Sequence, residues 1–219
     1  MTAATPSAPA TPPNTLLLLV RHGETPTTGK VLPGLAPGLH LSERGRVQAE
    51  RVAERLAGLH IDGLYSSPLE RARETAEPAA ACTGLTLHED AGLLECDFGE
   101  WTGAALADLA ALPQWQTVQQ TPSAFRFPDG ESFAQMQARM VGTLEALRTA
   151  HAGGVVVCFS HADPIKAAVA HALGTHLDLF QRIVIGPGSV SAISYSEGQA
   201  PAVLMVNSTL EPLIGLRAS

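Results

Sequence analysis

The chain has 219 residues, enough for one domain with a sizeable hydrophobic core, and two domains are less expected at this length. Its hydrophobic content of 45% and its charged content of 16% are typical of a compact soluble protein. The formal charge of −7, with 14 lysines and arginines against 21 aspartates and glutamates and no basic run, argues against nonspecific binding to nucleic acid or to a membrane surface.

The N-terminal segment and the cysteines bear on the cellular compartment. Residues 1–14 are rich in proline, alanine and threonine and lack the basic and apolar regions of a signal peptide, so we expect a disordered tail there. No stretch approaches the roughly 18 apolar residues of a membrane span. Cys82, Cys96 and Cys158 cannot all pair within one chain and fit free thiols, which favours a cytoplasmic location.

Two uninterrupted apolar runs each end close to a histidine. Residues 16–20 precede Arg21 and His22, and residues 155–159 precede Ser160 and His161. Such runs predict strands that are buried on both faces, as in a parallel sheet covered by helices. Ligands bind beyond the carboxyl ends of such strands. If the two strands are neighbours, two imidazoles therefore face each other across one crevice, with Arg21 beside them.

The segments after the first strand alternate between helix and strand signals. Ser42 can cap a helix whose apolar positions recur at roughly helical spacing, namely Val47, Val52, Leu56 and Leu59. Residues 61–65 predict a short strand, and a helix follows it with Ser67 as N-cap and Pro68 at its first position. Residues 85–87 are a candidate third strand. This β-α-β-α-β order predicts an α/β fold with a parallel sheet.

The second half of the chain begins with a segment of weak periodicity. Residues 91–128 are expected to form a helical insertion, or lid, within a single domain spanning residues 15–219, with short helices split at Pro113. The aromatic residues of this lid, Trp115, Phe125 and Phe127, favour a substrate with an apolar portion. An amphipathic helix, the second histidine strand, a helix beginning near Pro164 and two strands at a sheet edge are expected to follow.

The residues at the two strand ends suit the chemistry of a phosphoryl group. A neutral imidazole such as His22 can attack phosphorus and hold the phosphoryl group, which splits a hydrolysis into two easier steps. His161 would steady negative charge, and Gly23 would let the backbone turn close to a bound anion. Arg21 and Arg71 are the expected clamps, because a transferring phosphoryl group spreads its charge over three oxygens that guanidinium groups hold well.

A leaving alkoxide needs a proton, and three carboxyl groups in one short segment could supply it. Glu95, Asp97 and Glu100 lie beside Phe98 and Trp101, whose apolar bulk can raise the pKa of a carboxyl group. Spacing alone does not choose among the three.

Four blocks of the sequence, taken together and in this order, resemble the histidine phosphatase (phosphoglycerate mutase-like) superfamily. They are RHGET at 21–25, SSPLERARETA at 66–76, LLECDFGEWTG at 93–103 and FSHADPIKAAVAHALG at 159–174. The resemblance implies a three-layer α/β/α sandwich with a mostly parallel central sheet, and no metal or other cofactor. It implies that His22 is the phospho-acceptor, that Arg21, Arg71 and His161 bind the phosphoryl group, and that Glu95 is the proton donor.

The segment at 173–193 also resembles a bacterial subgroup of the family whose members are labelled phosphatases or phosphomutases.

The chain departs from the family pattern at two places. Thr28 stands where the family commonly has an asparagine of the phosphate pocket. Ala162 and Asp163 stand where Gly-Gly or Gly-x is usual. Ala162 can still present its backbone N–H to the phosphoryl group. Asp163 is expected to act as a second acid, to orient a histidine, or to cap the helix that starts near Pro164.

The function predicted from the sequence is hydrolysis of a small phosphorylated metabolite. No cysteine is followed six positions later by arginine, which excludes a cysteine phosphatase. Mutases of this family hold the substrate carboxylate with an arginine pair, whereas residues 102–120 contain no arginine or lysine. A phosphomutase and a non-catalytic phospho-ligand binding protein remain the alternatives. The expected partner is the substrate alone, without nucleic acid or membrane, and the oligomeric state stays open.

Overall fold

The structure, a computed structural model, describes residues 14–209, so all but the last residue of the expected disordered tail lies outside the described part. Within those residues it contains six strands, β1 (Thr15–Arg21), β2 (Gly63–Ser66), β3 (Leu87–Glu89), β4 (Val155–Ser160), β5 (Val190–Tyr195) and β6 (Ala202–Ser208). The α-helices of the same part are α1 (Glu43–Leu56), α2 (Glu70–Thr83), α3 (Leu106–Ala110), α4 (Pro113–Gln120), α5 (Phe133–Ala150) and α6 (Ala162–Ala172).

The strands form one sheet in the order β3-β2-β4-β1-β5-β6. The first four strands of this order are parallel, β5 runs antiparallel to β1, and β6 runs antiparallel to β5. The mostly parallel sheet that the sequence predicted is therefore confirmed. β1 and β4 are direct neighbours, with Arg21 opposite Ser160 at their carboxyl ends.

The apolar run of β1 is buried because helices cover both faces of the sheet. Leu16, Leu18 and Val20 belong to a core cluster that includes residues of α1 and α2, whereas Leu17 and Leu19 belong to one that includes residues of α5 and α6. Successive side chains of a strand point to opposite faces, so a strand in the middle layer is apolar at every position. The three-layer α/β/α arrangement is thus confirmed.

Several predicted boundaries differ from those observed. The helix predicted from Pro68 begins at Glu70, and Leu69 rather than Ser67 is its N-cap residue. The third strand lies at Leu87–Glu89 and so begins two residues later than predicted. Val47, predicted on the buried face of α1, is 45% exposed. The buried face of α1 instead includes Ala49, which the apolar pattern did not count.

The helix expected near Pro164 begins at Ala162, so Asp163 lies in its first turn and is not its N-cap. His161 occupies the N-cap position instead. Proline is tolerated in a first turn because the first four N–H groups of a helix have no partner within the helix. The capping role considered for Asp163 is therefore wrong.

Gly23 lacks a Cβ atom and so allows two backbone segments to approach each other closely. A Cβ atom on Gly23 would lie 2.5 Å from the carbonyl oxygen of Gly45, and one on Gly45 would lie 2.1 Å from the carbonyl oxygen of Glu24. The first turn of α1, capped by Ser42, therefore packs directly on the turn that follows β1. This packing is a role that the structure shows for Gly23, and its approach to a bound anion stays a prediction.

Residues 91–128 contain α3 and α4, which are split at Pro113 as expected. Phe125 and Phe127 pack on each other at 5.0 Å between ring centroids and belong to a core cluster, so their bulk supports the fold of this segment. No helix of residues 14–209 combines the length and the apolar character needed to cross a membrane.

Candidate active site

The pairing of β1 and β4 brings the two predicted histidines together. His22 and His161 each follow the carboxyl end of one of these strands, and the His22 N–H donates to the Ser160 carbonyl at 3.0 Å. The two ring centroids are 5.2 Å apart, with the rings inclined at 61°. His22 is 5% exposed and His161 is fully buried. The two imidazoles are therefore in contact, as the sequence predicted for neighbouring strands. Of the two, His22 lines the adjoining cavity.

The His22 ring is oriented by its own turn. Its Nδ1 lies 2.7 Å from the Gly23 carbonyl oxygen, which can only accept, so Nδ1 carries the proton and donates. In the neutral imidazole, Nε2 then holds the free electron pair. Burial lowers the pKa of His22 well below its usual value, and the charges of Arg71 and Arg21 lower it further. His22 is therefore a neutral imidazole with a nucleophilic Nε2 at physiological pH.

His161 has a partner that the sequence did not reveal. Its Nε2 lies 2.8 Å from the Ser67 hydroxyl, the group that had been predicted to cap α2. Its Nδ1 is buried and has no hydrogen-bond partner among residues 14–209. Burial lowers the pKa of His161 well below its usual value, with further lowering by Arg71, His22 and Arg21.

The two predicted clamps are arginines with unused buried donors, and Arg71 is buried more completely than Arg21. Arg71 is fully buried and its Nη2 donates to the Gly34 carbonyl at 2.8 Å, whereas its Nε and Nη1 have no partner among residues 14–209. Arg21 donates through Nη1 to the Ile185 carbonyl, and its Nε likewise lacks a partner there. Buried donors without a partner are costly and rare. Three guanidinium nitrogens and one imidazole nitrogen in this condition make the crevice suited to an anion.

Of the three candidate acids, the structure places only Glu95 in the crevice. Glu95 is 7% exposed, lines the same cavity as Arg21 and His22, and accepts through Oε1 from the Cys96 N–H at 2.9 Å. Asp97 turns back to the Gly99 N–H, at 3.0 Å. Glu100 is exposed to solvent.

The environment of Glu95 gives it the properties of an acid. Burial raises its pKa to about 7, and the negative charge of Asp163 adds to the rise. The Cys96 hydrogen bond and the two arginines, Arg71 and Arg21, oppose this rise without cancelling it. A carboxyl group with a pKa near the working pH can both give and take a proton.

The crevice continues into an open cavity of about 350 Å³. Thr28 lines it, but the Thr28 hydroxyl oxygen accepts from the Thr25 N–H at 2.9 Å, so it also supports its own loop. Ala162 lines it as the first residue of α6, where backbone N–H groups have no partner within the helix. Both residues are therefore placed where the sequence predicted, and their contact with a phosphoryl group stays a prediction.

Besides the residues named so far, the cavity wall is mostly apolar, with one polar cluster. The apolar lining includes Val31, Leu32, Pro33, Phe98, Leu106, Ile183, Val184 and Ile185. The polar cluster consists of Asp163, Lys166 and Gln181. Lys166 donates to Asp163 Oδ1 at 2.9 Å and to Gln181 Oε1 at 3.1 Å.

The segment that carries Glu95 is held by a side chain from α5. Arg139 donates to the carbonyl oxygens of Gly92, Leu94 and Glu95 at 2.9, 3.0 and 3.2 Å. It also forms a two-pronged pair with Glu131, at 3.0 and 2.9 Å. Arg139 thus fixes the backbone on either side of the acid, a role that nothing in its sequence neighbourhood indicates.

We expect Arg139→Met to lower the free energy of unfolding by about 2–3 kcal/mol, measured by urea denaturation. The change removes three bonds to carbonyl groups and leaves Glu131 without its cation. The figure is below that for a fully buried pair, because the two side chains are 24% and 22% exposed. Arg126→Met is the matched control, since exposed Arg126 donates only to the Gly130 carbonyl and its loss should change stability by less than about 0.5 kcal/mol. Equal changes in the two variants would contradict the proposed clamp.

Between residues 14 and 209, no three histidine, cysteine, aspartate or glutamate side chains are grouped so that they could hold a metal ion.

Several known proteins are similar to this chain over most of its length. The protein is 33% identical over 197 residues to phosphoserine phosphatase 1 of Hydrogenobacter thermophilus, covering 88% of this chain and 92% of that one. It is 31% identical over 182 residues to the "Probable phosphoglycerate mutase GpmB" of Klebsiella pneumoniae, covering 82% and 84% of the two chains. The structure of mycobacterial glucosyl-3-phosphoglycerate phosphatase superposes with a TM-score of 0.81 at 26% identity, covering 89% of this chain and 99% of that one.

The match to the family as a whole extends over nearly all of the described residues. Residues 17–209 match the family model described as the histidine phosphatase superfamily (branch 1), and this range includes all four sequence blocks that carry the resemblance. The chain therefore belongs to the histidine phosphatase superfamily.

Proposed function

We propose that the protein is a phosphomonoesterase that hydrolyses a small phosphorylated metabolite through a phosphohistidine intermediate on His22. The observation that carries the proposal is that His22, His161, Arg21 and Arg71 lie close together, with buried nitrogens that have no partner in the described residues. Membership of the family and the phosphatases among the relatives support the reaction class.

In the first step, Nε2 of His22 attacks phosphorus. The N–P bond forms as the bond between phosphorus and the ester oxygen breaks, and the electron pair of that bond leaves with the oxygen. Glu95, protonated because of its raised pKa, gives its proton to this oxygen and releases the alcohol. The hydrogen bond from Nδ1 to the Gly23 carbonyl supports the positive charge that develops on the ring.

In the second step, water attacks the phosphorus of phosphohistidine. Glu95, now a carboxylate, takes a proton from the water, and the N–P bond breaks with its electron pair returning to Nε2. Inorganic phosphate leaves, and both His22 and Glu95 are back in their starting forms. One group thus acts as acid and then as base, which a pKa of about 7 permits.

The remaining residues hold the three oxygens that do not react. The guanidinium nitrogens of Arg21 and Arg71 that have no partner in the described residues donate directed, charged hydrogen bonds to these oxygens. A hydrogen bond from the Ser67 hydroxyl to Nε2 of His161 leaves the proton on Nδ1, which then donates to a phosphoryl oxygen. We propose the Ala162 N–H and the Thr28 hydroxyl as further donors.

Phosphate release distinguishes this function from the two alternatives. Incubation of the protein with a panel of phosphorylated metabolites is expected to give inorganic phosphate and free alcohol in equal amounts, at a rate that EDTA does not change. Conversion of 3-phosphoglycerate into 2-phosphoglycerate without phosphate release would identify a mutase instead. Saturable binding of a phosphorylated ligand without turnover would identify a binding protein.

The domain and location predictions are part of the same proposal. Residues 15–219 would act as a single domain in which residues 91–128 cover the crevice and contact the alcohol portion of the substrate. A cytoplasmic location, expected from the free cysteines, fits an enzyme that acts on metabolites.

A further inference from the structure

We infer that the polar cluster of Asp163, Lys166 and Gln181 makes this enzyme select phosphomonoesters of uncharged alcohols and reject those whose alcohol portion carries a carboxylate. This inference rests on the proposed function and names the substrate class for it. The relatives described above are named for phosphoserine, phosphoglycerate and glucosyl-3-phosphoglycerate, all of which carry a carboxylate.

Binding of a substrate carboxylate requires a cation with spare charge. The residues that line the cavity include two cations, Arg21 and Lys166. Arg21 lies at the crevice with His22 and is committed to the phosphoryl group in the proposed mechanism. Lys166 is thus the only lining cation, among the residues the structure describes, that is left for the rest of the substrate.

The charge of Lys166 is already neutralised within the protein. Its ammonium group pairs with Asp163 at 2.9 Å and bonds Gln181 at 3.1 Å, and the side chains of Lys166 and Asp163 are only 18% and 17% exposed. Water therefore screens this pair less than it would a surface pair. A substrate carboxylate must either displace Asp163 from Lys166 or lie close to a second carboxylate, and both are unfavourable.

The same wall suits a neutral alcohol. A hydroxyl group can donate to Asp163 Oδ2 or to the second lone pair of Gln181 Oε1, and it can accept from the third N–H of Lys166, without breaking their pairing. Leu32, Leu106 and the exposed Val184 supply apolar area for a carbon skeleton. A cavity of about 350 Å³ is at the lower end of the usual range for ligand pockets, so the alcohol portion is small.

A matched pair of substrates tests the inference. Racemic glycerol 1-phosphate and racemic 3-phosphoglycerate have the same skeleton and differ only in carrying a CH2OH group or a carboxylate. For the wild-type enzyme, kcat/KM for the glycerol ester should exceed that for 3-phosphoglycerate by roughly tenfold or more. Asp163→Asn frees the charge of Lys166, and the ratio should fall by roughly tenfold, mainly through a lower KM for 3-phosphoglycerate.

The ratio of the two kcat/KM values separates recognition of the substrate from the effect of Asp163 on Glu95. Asp163 raises the pKa of Glu95, so Asp163→Asn also changes the chemical step, but both substrates leave as primary alkoxides and share that change. In the double variant Asp163→Asn with Lys166→Met, the gain on 3-phosphoglycerate should disappear. Gln181→Lys, which adds a cation to the same wall and keeps Asp163, should shift the ratio in the same direction as Asp163→Asn.

Failure of this inference and failure of the proposed function give different results. Turnover of 4-nitrophenyl phosphate, dependent on His22, reports the proposed function and also shows that each variant is folded. If that activity is present while wild-type enzyme prefers 3-phosphoglycerate, or while neither charge variant shifts the ratio, the selectivity inference is wrong. If no phosphomonoester is hydrolysed at all, the proposed function itself fails.

Discussion

Replacing His22 with alanine is expected to lower kcat for 4-nitrophenyl phosphate by about 10⁴-fold or more, because the change removes the nucleophile of the proposed covalent route. His161 is not expected to substitute for it, since its Nε2 is bonded to Ser67 and its Nδ1 carries the proton in the proposed tautomer. His60→Ala is the matched control, because the His60 side chain is 91% exposed and lies outside the site, and its activity should be unchanged. Retention of a few per cent of activity in His22→Ala would falsify the nucleophile assignment.

The covalent intermediate gives an independent measurement. Rapid mixing with a ³²P-labelled substrate and quenching in alkali should leave label on a peptide that contains His22, since an N–P bond survives alkali and is cleaved by acid. Label with the opposite stability would point to serine, and its absence in both wild-type enzyme and His22→Ala would argue against a covalent route. The low pKa of His22 predicts that labelling persists well below pH 6.5, where an ordinary histidine becomes protonated and loses its nucleophilic electron pair.

The sequence predicted the two histidines of this site because their positions follow from the apolar pattern of two strands and from the adjacency of those strands. A buried strand in a parallel sheet is apolar at every position, so residues 16–20 and 155–159 stood out without any three-dimensional information. Their carboxyl ends had to meet at one edge of the sheet if the strands were adjacent, which placed His22 and His161 together. Local pattern was sufficient here.

Pattern was insufficient where a side chain has two chemically reasonable partners. Ser67 before Pro68 is a typical N-cap signal, yet its hydroxyl bonds His161, which is 94 positions away in the sequence. Helix capping was one of three roles considered for Asp163, but its carboxylate pairs with Lys166 one turn later. Such choices depend on which long-range neighbour is available when the chain is folded, and a local window does not contain that neighbour.

The choice among the three acids shows the same limit in another form. Glu95, Asp97 and Glu100 lie within six positions, and only the packing of their segment distinguishes them. Arg139, from a helix more than 40 positions away, holds the carbonyl of Glu95 and so helps to direct one carboxyl group inward. Burial then supplies the raised pKa that a sequence cannot report.

Glu95→Gln is expected to lower kcat/KM for an alkyl phosphate by roughly 10²–10³-fold and for 4-nitrophenyl phosphate by less than about tenfold. An alkoxide needs a proton to leave, whereas 4-nitrophenolate leaves without one. Glutamine keeps the size of Glu95 and its ability to accept from the Cys96 N–H, so the variant isolates the loss of the proton. Glu100→Gln, at an exposed position of the same segment, is the matched control and should change neither rate.

The pH profile of the wild-type enzyme tests the same role of Glu95, and the pKa of Glu95 defines the direction of the expected change. Glu95 acts in the first step as the protonated acid, and its pKa is raised to about 7. The value of kcat/KM for an alkyl phosphate should therefore level off as the pH falls below 7 and approach a fall of about tenfold per pH unit well above it, with a much weaker decline for the aryl ester. In Glu95→Gln this alkaline decline should disappear from the alkyl profile.

Hydrolysis of phosphohistidine, the second step, predicts a result for Glu95→Gln that a loss of stability alone would not produce. Without a carboxylate to take a proton from water, phosphohistidine in Glu95→Gln should form rapidly from 4-nitrophenyl phosphate and hydrolyse slowly. The variant should release one equivalent of 4-nitrophenol per active site in a burst and then turn over slowly. Because the raised pKa means that ionised Glu95 costs stability as pH rises, the variant should also be no less stable than wild type at pH 8. Equal losses on alkyl and aryl esters without a burst would move the acid role to Asp163, the other carboxyl group among the described residues that line the cavity.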